Sequence, residues 1–157
     1  MVFILITLAV FLLDSNLKNY IEHNIRIGES RKILNGKITL KKQYNKGFCF
    51  NILEKKVDLV KRVTAIVFGI VVLLFIIILP CKKKRLMKLG LSLCIGGGAS
   101  NIKDRFTRGE VLDYFSINIK PIEHIVFNLA DIFIFIGSAI ILMSSLIRSK
   151  DIIETIE

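Results

Sequence analysis

The sequence predicts an all-α membrane protein of four transmembrane helices, with a small β-containing cradle outside the membrane. Apolar residues make up 53% of the chain and the mean hydropathy is +0.60, whereas soluble domains are about 45–50% apolar. The apolar residues fall into four blocks that charged segments separate. Much of the formal charge of +10 lies between these blocks, where anionic lipid headgroups would meet it. We expect one polytopic membrane domain over residues 1–157 and no nucleic-acid partner, since no nucleic-acid-binding motif is present.

The expected spans cover residues 1–21, 63–80, 86–102 and 122–147. The second span is the clearest, because it contains no charged residue and the basic run from Lys82 to Arg85 follows it. The third span contains Gly96, Gly97 and Gly98, and small residues let neighbouring helices approach closely in lipid.

The first apolar block, Met1 to Leu13, is short for a membrane span, and two interpretations are open. It could be the apolar region of a signal peptide, although it lacks a basic start and a small-residue cleavage site. Alternatively, the helix continues through Asp14 to about Ile21, with Asp14 near one membrane face. The second interpretation is preferred because it supplies the missing length.

The basic loops indicate the orientation of the chain in the membrane. Basic residues cluster between the second and third spans, at Lys82 to Arg85 and Lys88, and after the fourth span, at Arg148 and Lys150. Such clusters favour the cytoplasmic side, so with four spans both termini are expected in the cytoplasm. The extracytoplasmic segment 22–62 is itself rich in lysine and arginine, which argues against this orientation, although the charge rule is weak for long segments.

Two short strands are expected within the extracytoplasmic segment. The pattern predicts strands at Ile38 to Leu40 and Phe48 to Phe50, with turns at Asn35-Gly36 and Asn45-Lys46-Gly47. The segment is therefore expected to form a small hairpin or half-barrel at the membrane surface.

Polar residues inside or beside the spans are costly and therefore mark candidate functional positions. In the expected topology they all fall toward the outer side: Asp14, Asn101, Asp104, Arg105, Asp113, Asn128 and Asp131. Asn128 and Asp131 share a helix face, which fits either a functional site or a helix-packing contact. Asn101 and Asp104 also share a helix face. For these two residues, the alternative to a functional site is a capped helix end with solvated charges.

Asp113 and Asp131 could reach one wet pocket at the outer interface. Asp113 is expected in a loop, and because its neighbours there are apolar and aromatic, this loop is expected to fold back against the membrane. Of two carboxylates at close range, one keeps its proton. The ionised carboxylate can then activate water while the protonated one donates to a scissile carbonyl. Such a pair hydrolyses peptide bonds without a metal or other cofactor.

Four motifs resemble those of the lipoprotein signal peptidase family. The run NIKDRFTRGEVLDY from Asn101 to Tyr114 resembles its N-x-x-D-R-x-x-x-G-x-V-x-D-F/Y signature. FNLAD at residues 127–131 resembles its F-N-x-A-D motif. DSNLK at residues 14–18 resembles its D-x-x-x-K, and Asn45, Gly47 and Phe50 match an N-x-G-x-x-F element. The motifs occur in the family's order along nearly the whole chain.

The resemblance implies an intramembrane aspartic endopeptidase of the bacterial plasma membrane, with its active site at the extracytoplasmic face. Its substrate would be a diacylglyceryl-modified prolipoprotein, cleaved just before the lipid-modified cysteine, and membrane lipid would be a further partner of the monomer. Asp113 and Asp131 would be the catalytic pair. The supporting and substrate-binding residues would be Asn101, Asp104, Arg105, Asn128, Asn45, Asp14 and Lys18.

Three departures from the family pattern lie beside these motifs. Ser100 replaces the usual glycine, Ile132 replaces the usual serine, and Phe48 with Cys49 replaces a pair of small residues. They favour a divergent paralogue with altered substrate choice. The alternatives are a non-catalytic lipoprotein- or lipid-binding relative and a small transporter subunit with Asp131 as a proton relay.

Overall fold

The fold consists of four long helices and one small sheet. The computed structural model describes residues 1–47 and 52–156, with side chains described as far as residue 147. The strand expected at Phe48 to Phe50, and the departures at Phe48 and Cys49, lie outside the described residues. The elements are α1 (Val2–Asn24), β1 (Ser30–Ile33), β2 (Ile38–Asn45), α2 (Val57–Ile78), α3 (Arg85–Thr107), β3 (Val111–Ile117) and α4 (Leu129–Ile156).

Three of the described helices are long and apolar enough to cross a membrane, namely Val2–Asn24, Val57–Ile78 and Leu129–Ile147. Their outward faces carry large apolar side chains, such as Ile66 at 63% exposure and Phe135 at 76%. Exposed apolar surface of this extent indicates contact with lipid. The chain is therefore mostly helical with three candidate membrane spans.

Helix α3 contains the expected third span but does not meet the same criterion, because charged and polar residues interrupt it. It lies inside the bundle and packs against α1, α2 and α4. A Cβ atom at Gly96 would lie 2.7 Å from the carbonyl oxygen of Thr7, and one at Gly97 would lie 2.5 Å from that of Ala130. Small residues at these positions therefore let α3 approach the backbones of α1 and α4, as expected for packing in lipid.

The sheet is antiparallel in the order β1-β2-β3 and covers one end of the bundle. The predicted turn at Asn35-Gly36 joins β1 to β2, and both residues have positive φ values of 54° and 80°. Glycine adopts such a backbone conformation without a steric penalty. The sheet packs on the end of α1 through a core that contains Ile21, Leu112 and Tyr114.

Two local expectations were wrong. Asp113 lies within strand β3, opposite Gln43 of β2, rather than in a loop. Helix α4 begins at Leu129, although a span was expected from Ile122. The backbone before this helix is extended, and Phe127 pairs with Phe115 beside the sheet. Asp131 therefore lies in the first turn of the helix.

Candidate active site

Asp113 points from β3 into the end of the bundle, and two amide groups hold its carboxylate. Asn128 donates from Nδ2 to Asp113 Oδ1 at 2.6 Å, and Asn45 donates from Nδ2 to Asp113 Oδ2 at 3.1 Å. The Asp113 residue is only 3% exposed. Both carboxylate oxygens thus have a fixed direction, as a reacting group requires.

Asn128 and Asp131 begin helix α4 with a reciprocal pair of hydrogen bonds. The backbone N–H of Asp131 donates to Asn128 Oδ1 at 2.9 Å, and the backbone N–H of Asn128 donates to Asp131 Oδ2 at 3.1 Å. This is the geometry of a capping box, in which two side chains satisfy two orphan donors of the helix. Since the same Asn128 side chain also donates to Asp113, one residue connects the two carboxylates.

Asp131 accepts a second hydrogen bond from Asn101, which lies on α3. Asn101 donates from Nδ2 to Asp131 Oδ1 at 2.9 Å and accepts from Lys18 Nζ at its Oδ1, at 2.8 Å. Because an ammonium group can only donate, Lys18 fixes which end of the Asn101 amide faces Asp131.

Lys18 is the cationic centre of a buried network. Its Nζ lies 2.8 Å from Asp14 Oδ2 and 2.9 Å from Asp104 Oδ2, and it also donates to Ser100 Oγ at 3.3 Å. Lys18 is 2% exposed and Asp14 is fully buried. Buried charges persist only when they are paired and hydrogen-bonded, so this cluster ties α1 firmly to α3.

Arg105 and Asn45 connect α3 to the end of β2. Arg105 donates from Nη2 to the carbonyl oxygen of Gly47 at 2.6 Å. The N–H of Gly47 donates to Asn45 Oδ1 at 2.9 Å, which leaves the Asn45 amide nitrogen directed at Asp113. Arg105 thus supports Asp113 through the turn that begins at Asn45.

The two aspartates line one cavity of about 430 Å³ between the sheet and helices α2, α3 and α4. Asn45, Asn101 and Arg105 contribute the polar part of its wall, close to the carboxylates. The rest of the lining is mainly apolar and includes Val67, Gly98, Val111, Ile125, Val126, Phe127, Ile134 and Phe135. A polar end beside an apolar chamber suits a ligand that carries both a reactive polar group and hydrocarbon.

Burial and the nearby charge of Asp131 raise the pKa of Asp113 to about 7, from an ordinary value of 3.8. Its two amide donors and the charge of Lys18 oppose this shift. The Asp113 carboxyl therefore exchanges its proton near neutral pH, the range in which a carboxyl group can serve as a general acid or base. Among the described residues, no group of three or more histidine, cysteine, aspartate or glutamate side chains could hold a metal ion.

The end of the bundle brings together the site residues that the motifs predicted, namely Asp14, Lys18, Asn45, Asn101, Asp104, Arg105, Asp113, Asn128 and Asp131. Sequence reasoning gave no role to Tyr114, the last residue of the first motif, whose hydroxyl donates to Asp14 Oδ1 at 3.0 Å and accepts from the N–H of Leu129 at 2.9 Å. It had noted Ser100 only as a departure, yet Ser100 donates to Asp14 Oδ2 at 2.6 Å and is 1% exposed. The Asn128-x-x-Asp131 spacing was the available signal for the start of α4, because it is a capping pattern.

Comparison with known proteins identifies the family of this chain. The family model described as Signal peptidase (SPase) II matches residues 6–147. A lipoprotein signal peptidase of Wigglesworthia glossinidia brevipalpis is 39% identical over 140 residues, or 88% of this chain and 90% of the relative. That of Halalkalibacterium halodurans is 31% identical over 143 residues, or 91% and 90% of the two chains.

Solved structures share the same fold. A bacterial membrane enzyme determined by the in meso method at 2.3 Å resolution superposes with a TM-score of 0.84 at 27% identity, covering 96% of this chain and 90% of its own. A second one, at 1.9 Å resolution, gives a TM-score of 0.79 at 28% identity, with 92% of each chain covered. A helical, multi-pass membrane protein with a buried polar site at one end of the bundle is thus the class to which this chain belongs. Within that class, it is a member of the signal peptidase II family of proteases, which process lipoproteins.

Proposed function

We propose that this protein is an aspartic endopeptidase that removes the signal peptide from diacylglyceryl-modified prolipoproteins, with Asp113 and Asp131 as its catalytic pair. The observation that carries the proposal is the joint position of the two carboxylates. They line one cavity, and the single side chain of Asn128 is hydrogen-bonded to Asp113 and to the backbone of Asp131.

The pair divides the work of hydrolysis between acid and base. Asp131 accepts two N–H donors and lies in the first turn of α4, where the helix dipole stabilises negative charge. It takes a proton from a water molecule, whose oxygen attacks the scissile carbonyl carbon. Asp113, whose raised pKa keeps it protonated, donates to the carbonyl oxygen.

The tetrahedral intermediate then breaks down to products. The proton that Asp131 holds passes to the amide nitrogen and the C–N bond breaks. One product is a carboxylic acid on the signal peptide and the other is a free amine on the lipid-modified cysteine. Asp113 regains its proton from the collapsing hydroxyl, so the pair returns to its starting state without an outside reagent.

The remaining polar residues of the site orient the pair and help to hold substrate. Asn128 and Asn45 direct the Asp113 carboxylate, and Asn101 directs Asp131. Lys18 and its two carboxylate partners, Asp14 and Asp104, anchor α1 to α3 beneath them. Arg105 holds the turn after β2.

The cavity fits an apolar substrate segment that enters from lipid. Part of its apolar wall comes from Val67 of α2 and from Ile134 and Phe135 of α4, the two candidate spans with the highest mean hydropathy. A signal peptide or an acyl chain buries hydrocarbon there, at a gain of about 25 cal/mol per Å² of apolar surface. The polar end of the same cavity meets the peptide bond.

The proposed topology has four spans, with α3 as the central, enclosed one. Both termini lie in the cytoplasm, and the sheet with segment 22–62 lies at the extracytoplasmic face of the bacterial plasma membrane. The polar positions that the sequence singled out, from Asp14 on α1 to Asp131 on α4, are connected by hydrogen bonds at one end of the bundle, which supports a single active face. A monomer suffices, because one chain supplies both carboxylates.

The direct test is cleavage of a defined substrate by the purified protein. We expect release of the signal peptide from a diacylglyceryl-modified prolipoprotein, with mass spectrometry placing the new amino terminus at the modified cysteine. The matched control substrate is the same prolipoprotein without the diacylglyceryl group, which should be cleaved much more slowly. Stable binding of the lipidated substrate without any cleavage would instead indicate a non-catalytic relative.

A further inference from the structure

The Asp14 carboxylate lies between the strand that carries Asp113 and the helix that carries Asp131. One of its oxygens, Oδ1, accepts from the Tyr114 hydroxyl at 3.0 Å and from the backbone N–H of Ala130 at 3.1 Å. Tyr114 follows Asp113 in the chain and Ala130 precedes Asp131. A single oxygen atom therefore joins the immediate neighbours of the two proposed catalytic residues.

The Tyr114 hydroxyl makes a second contact with the first turn of α4. It accepts a hydrogen bond from the N–H of Leu129 at 2.9 Å while it donates to Asp14. Leu129 and Ala130 carry two of the backbone donors at the start of α4, which have no partner within the helix. The first turn of α4 is thus fastened to strand β3 through one phenolic oxygen and one carboxylate oxygen.

We infer that Tyr114 is a positioning residue of the site, whose hydroxyl fixes the spacing between Asp113 and Asp131 by holding β3 to the first turn of α4. The inference rests on the proposed aspartic mechanism for its effect on catalysis. Tyr114 touches neither the substrate cavity nor the two carboxylates directly, so its effect on them passes through Asp14 and the backbone.

This spacing matters because the two carboxylates influence each other by charge. Asp113 faces a cavity that also contains Asp131 of α4 and Arg105 of α3, while β2 presents only the neutral amide of Asn45. Lys18 of α1 acts on Asp113 in the opposite sense to Asp131. The charge of Asp131 raises the pKa of Asp113 by an amount that depends on the distance between β3 and α4. This effect weakens if the strand and the helix separate.

The test compares Tyr114→Phe with Tyr44→Phe in the full-length protein, assayed on a diacylglyceryl-modified prolipoprotein. Both changes remove one hydroxyl that donates to a carboxylate, since Tyr44 donates to Glu22 at 2.6 Å outside the cavity. For Tyr114→Phe we expect kcat to fall by about three- to tenfold, with KM nearly unchanged. The alkaline limb of its pH profile should move to lower pH, and Tyr44→Phe should change neither quantity.

A second measurement does not depend on activity. Infrared titration of the Asp113 carboxyl band, assigned by its loss in Asp113→Asn, should give a lower midpoint in Tyr114→Phe than in the wild type. The same midpoint in both proteins, with an unchanged kcat, overturns the inference but leaves the proposed function intact. A Tyr114→Phe protein that fails to fold also overturns it, because the hydroxyl would then serve the fold rather than the spacing. If the wild type is inactive, the proposed function fails, and the infrared midpoint still decides the inference.

Discussion

Lys18 donates to the side-chain oxygen of Asn101 at 2.8 Å and thereby turns the Asn101 amide nitrogen toward Asp131. The lysine comes from α1, the asparagine from α3 and the aspartate from α4. A residue of the first helix therefore determines which hydrogen bond a residue of the last helix receives. This relation explains why the D-x-x-x-K motif at residues 14–18, distant in sequence from Asn101 and Asp131, belongs to the same site.

Lys18→Met should destabilise the protein strongly. The change leaves Asp14 and Asp104 buried without their shared cation, and breaking a buried ion pair from one side costs about 3–5 kcal/mol. Chemical unfolding in lipid or detergent measures the loss. Lys103→Met is the matched control, because Lys103 lies on the surface of α3 and should change stability little.

Two substitutions at Asn128 separate its helix-capping role from its role at Asp113. Asn128→Ala removes both and should cost about 1 kcal/mol of stability as well as activity. Asn128→Asp keeps an acceptor for the N–H of Asp131 but puts a negative charge where Asp113 now receives a donor. We expect the helix cap to be kept, some loss of stability from the added buried charge, and at least about 100-fold lower kcat, or about 2.7 kcal/mol in the barrier. Equal activity of Asn128→Asp and the wild type would contradict the proposed link between the carboxylates.

Stability should fall with rising pH because of Asp113. Its pKa is about 7 in the folded protein, above the ordinary 3.8, so the folded state retains a proton that the unfolded chain has already released. Linkage then predicts a decline in stability from about pH 4 to about pH 7, after which this contribution is fully lost. Asp113→Asn should lack this part of the decline and be more stable than the wild type at pH 8. A thermal unfolding series across pH compares the two proteins.

Gly97→Ala should disturb the site through helix packing. The new Cβ would lie 2.5 Å from the carbonyl oxygen of Ala130, so α3 must move away from the first turn of α4. Overpacking of this kind costs about 1–3 kcal/mol, and it also pulls Asn101 from Asp131. Gly69→Ala on α2 is the control, since nothing lies within 4 Å of its Cβ position. Unfolding and cleavage assays should show a loss only for Gly97→Ala.

The helices and the turn at Asn35-Gly36 were predictable because their signals are local. Apolar blocks, charged boundaries and a turn dipeptide each lie within a few residues. The position of Asp113 on a strand was not predictable in this way, because β3 is defined by pairing with β2, about seventy residues earlier in the chain. The sequence also gives no sign that the Tyr114 hydroxyl and the N–H of Ala130 meet on one oxygen of Asp14.

The start of α4 was misplaced for a different reason. The apolar residues around Ile125 and Val126 continue the pattern of the helix, but their backbone is extended and leads to the bridge between Phe127 and Phe115. Hydropathy does not distinguish a buried extended segment from a helix. The capping pair Asn128 and Asp131 does, and it explains why Asp131 lies at the helix end, on the wall of the cavity.

The most direct measurement is cleavage of a diacylglyceryl-modified prolipoprotein by Asp113→Asn and Asp131→Asn. These changes keep the shape of each side chain but remove its ability to exchange a proton. With both variants inserted and folded as judged by thermal unfolding, the account predicts that the wild type releases the signal peptide and that neither variant does so detectably. Wild-type rates in either variant would contradict a mechanism that rests on the pair.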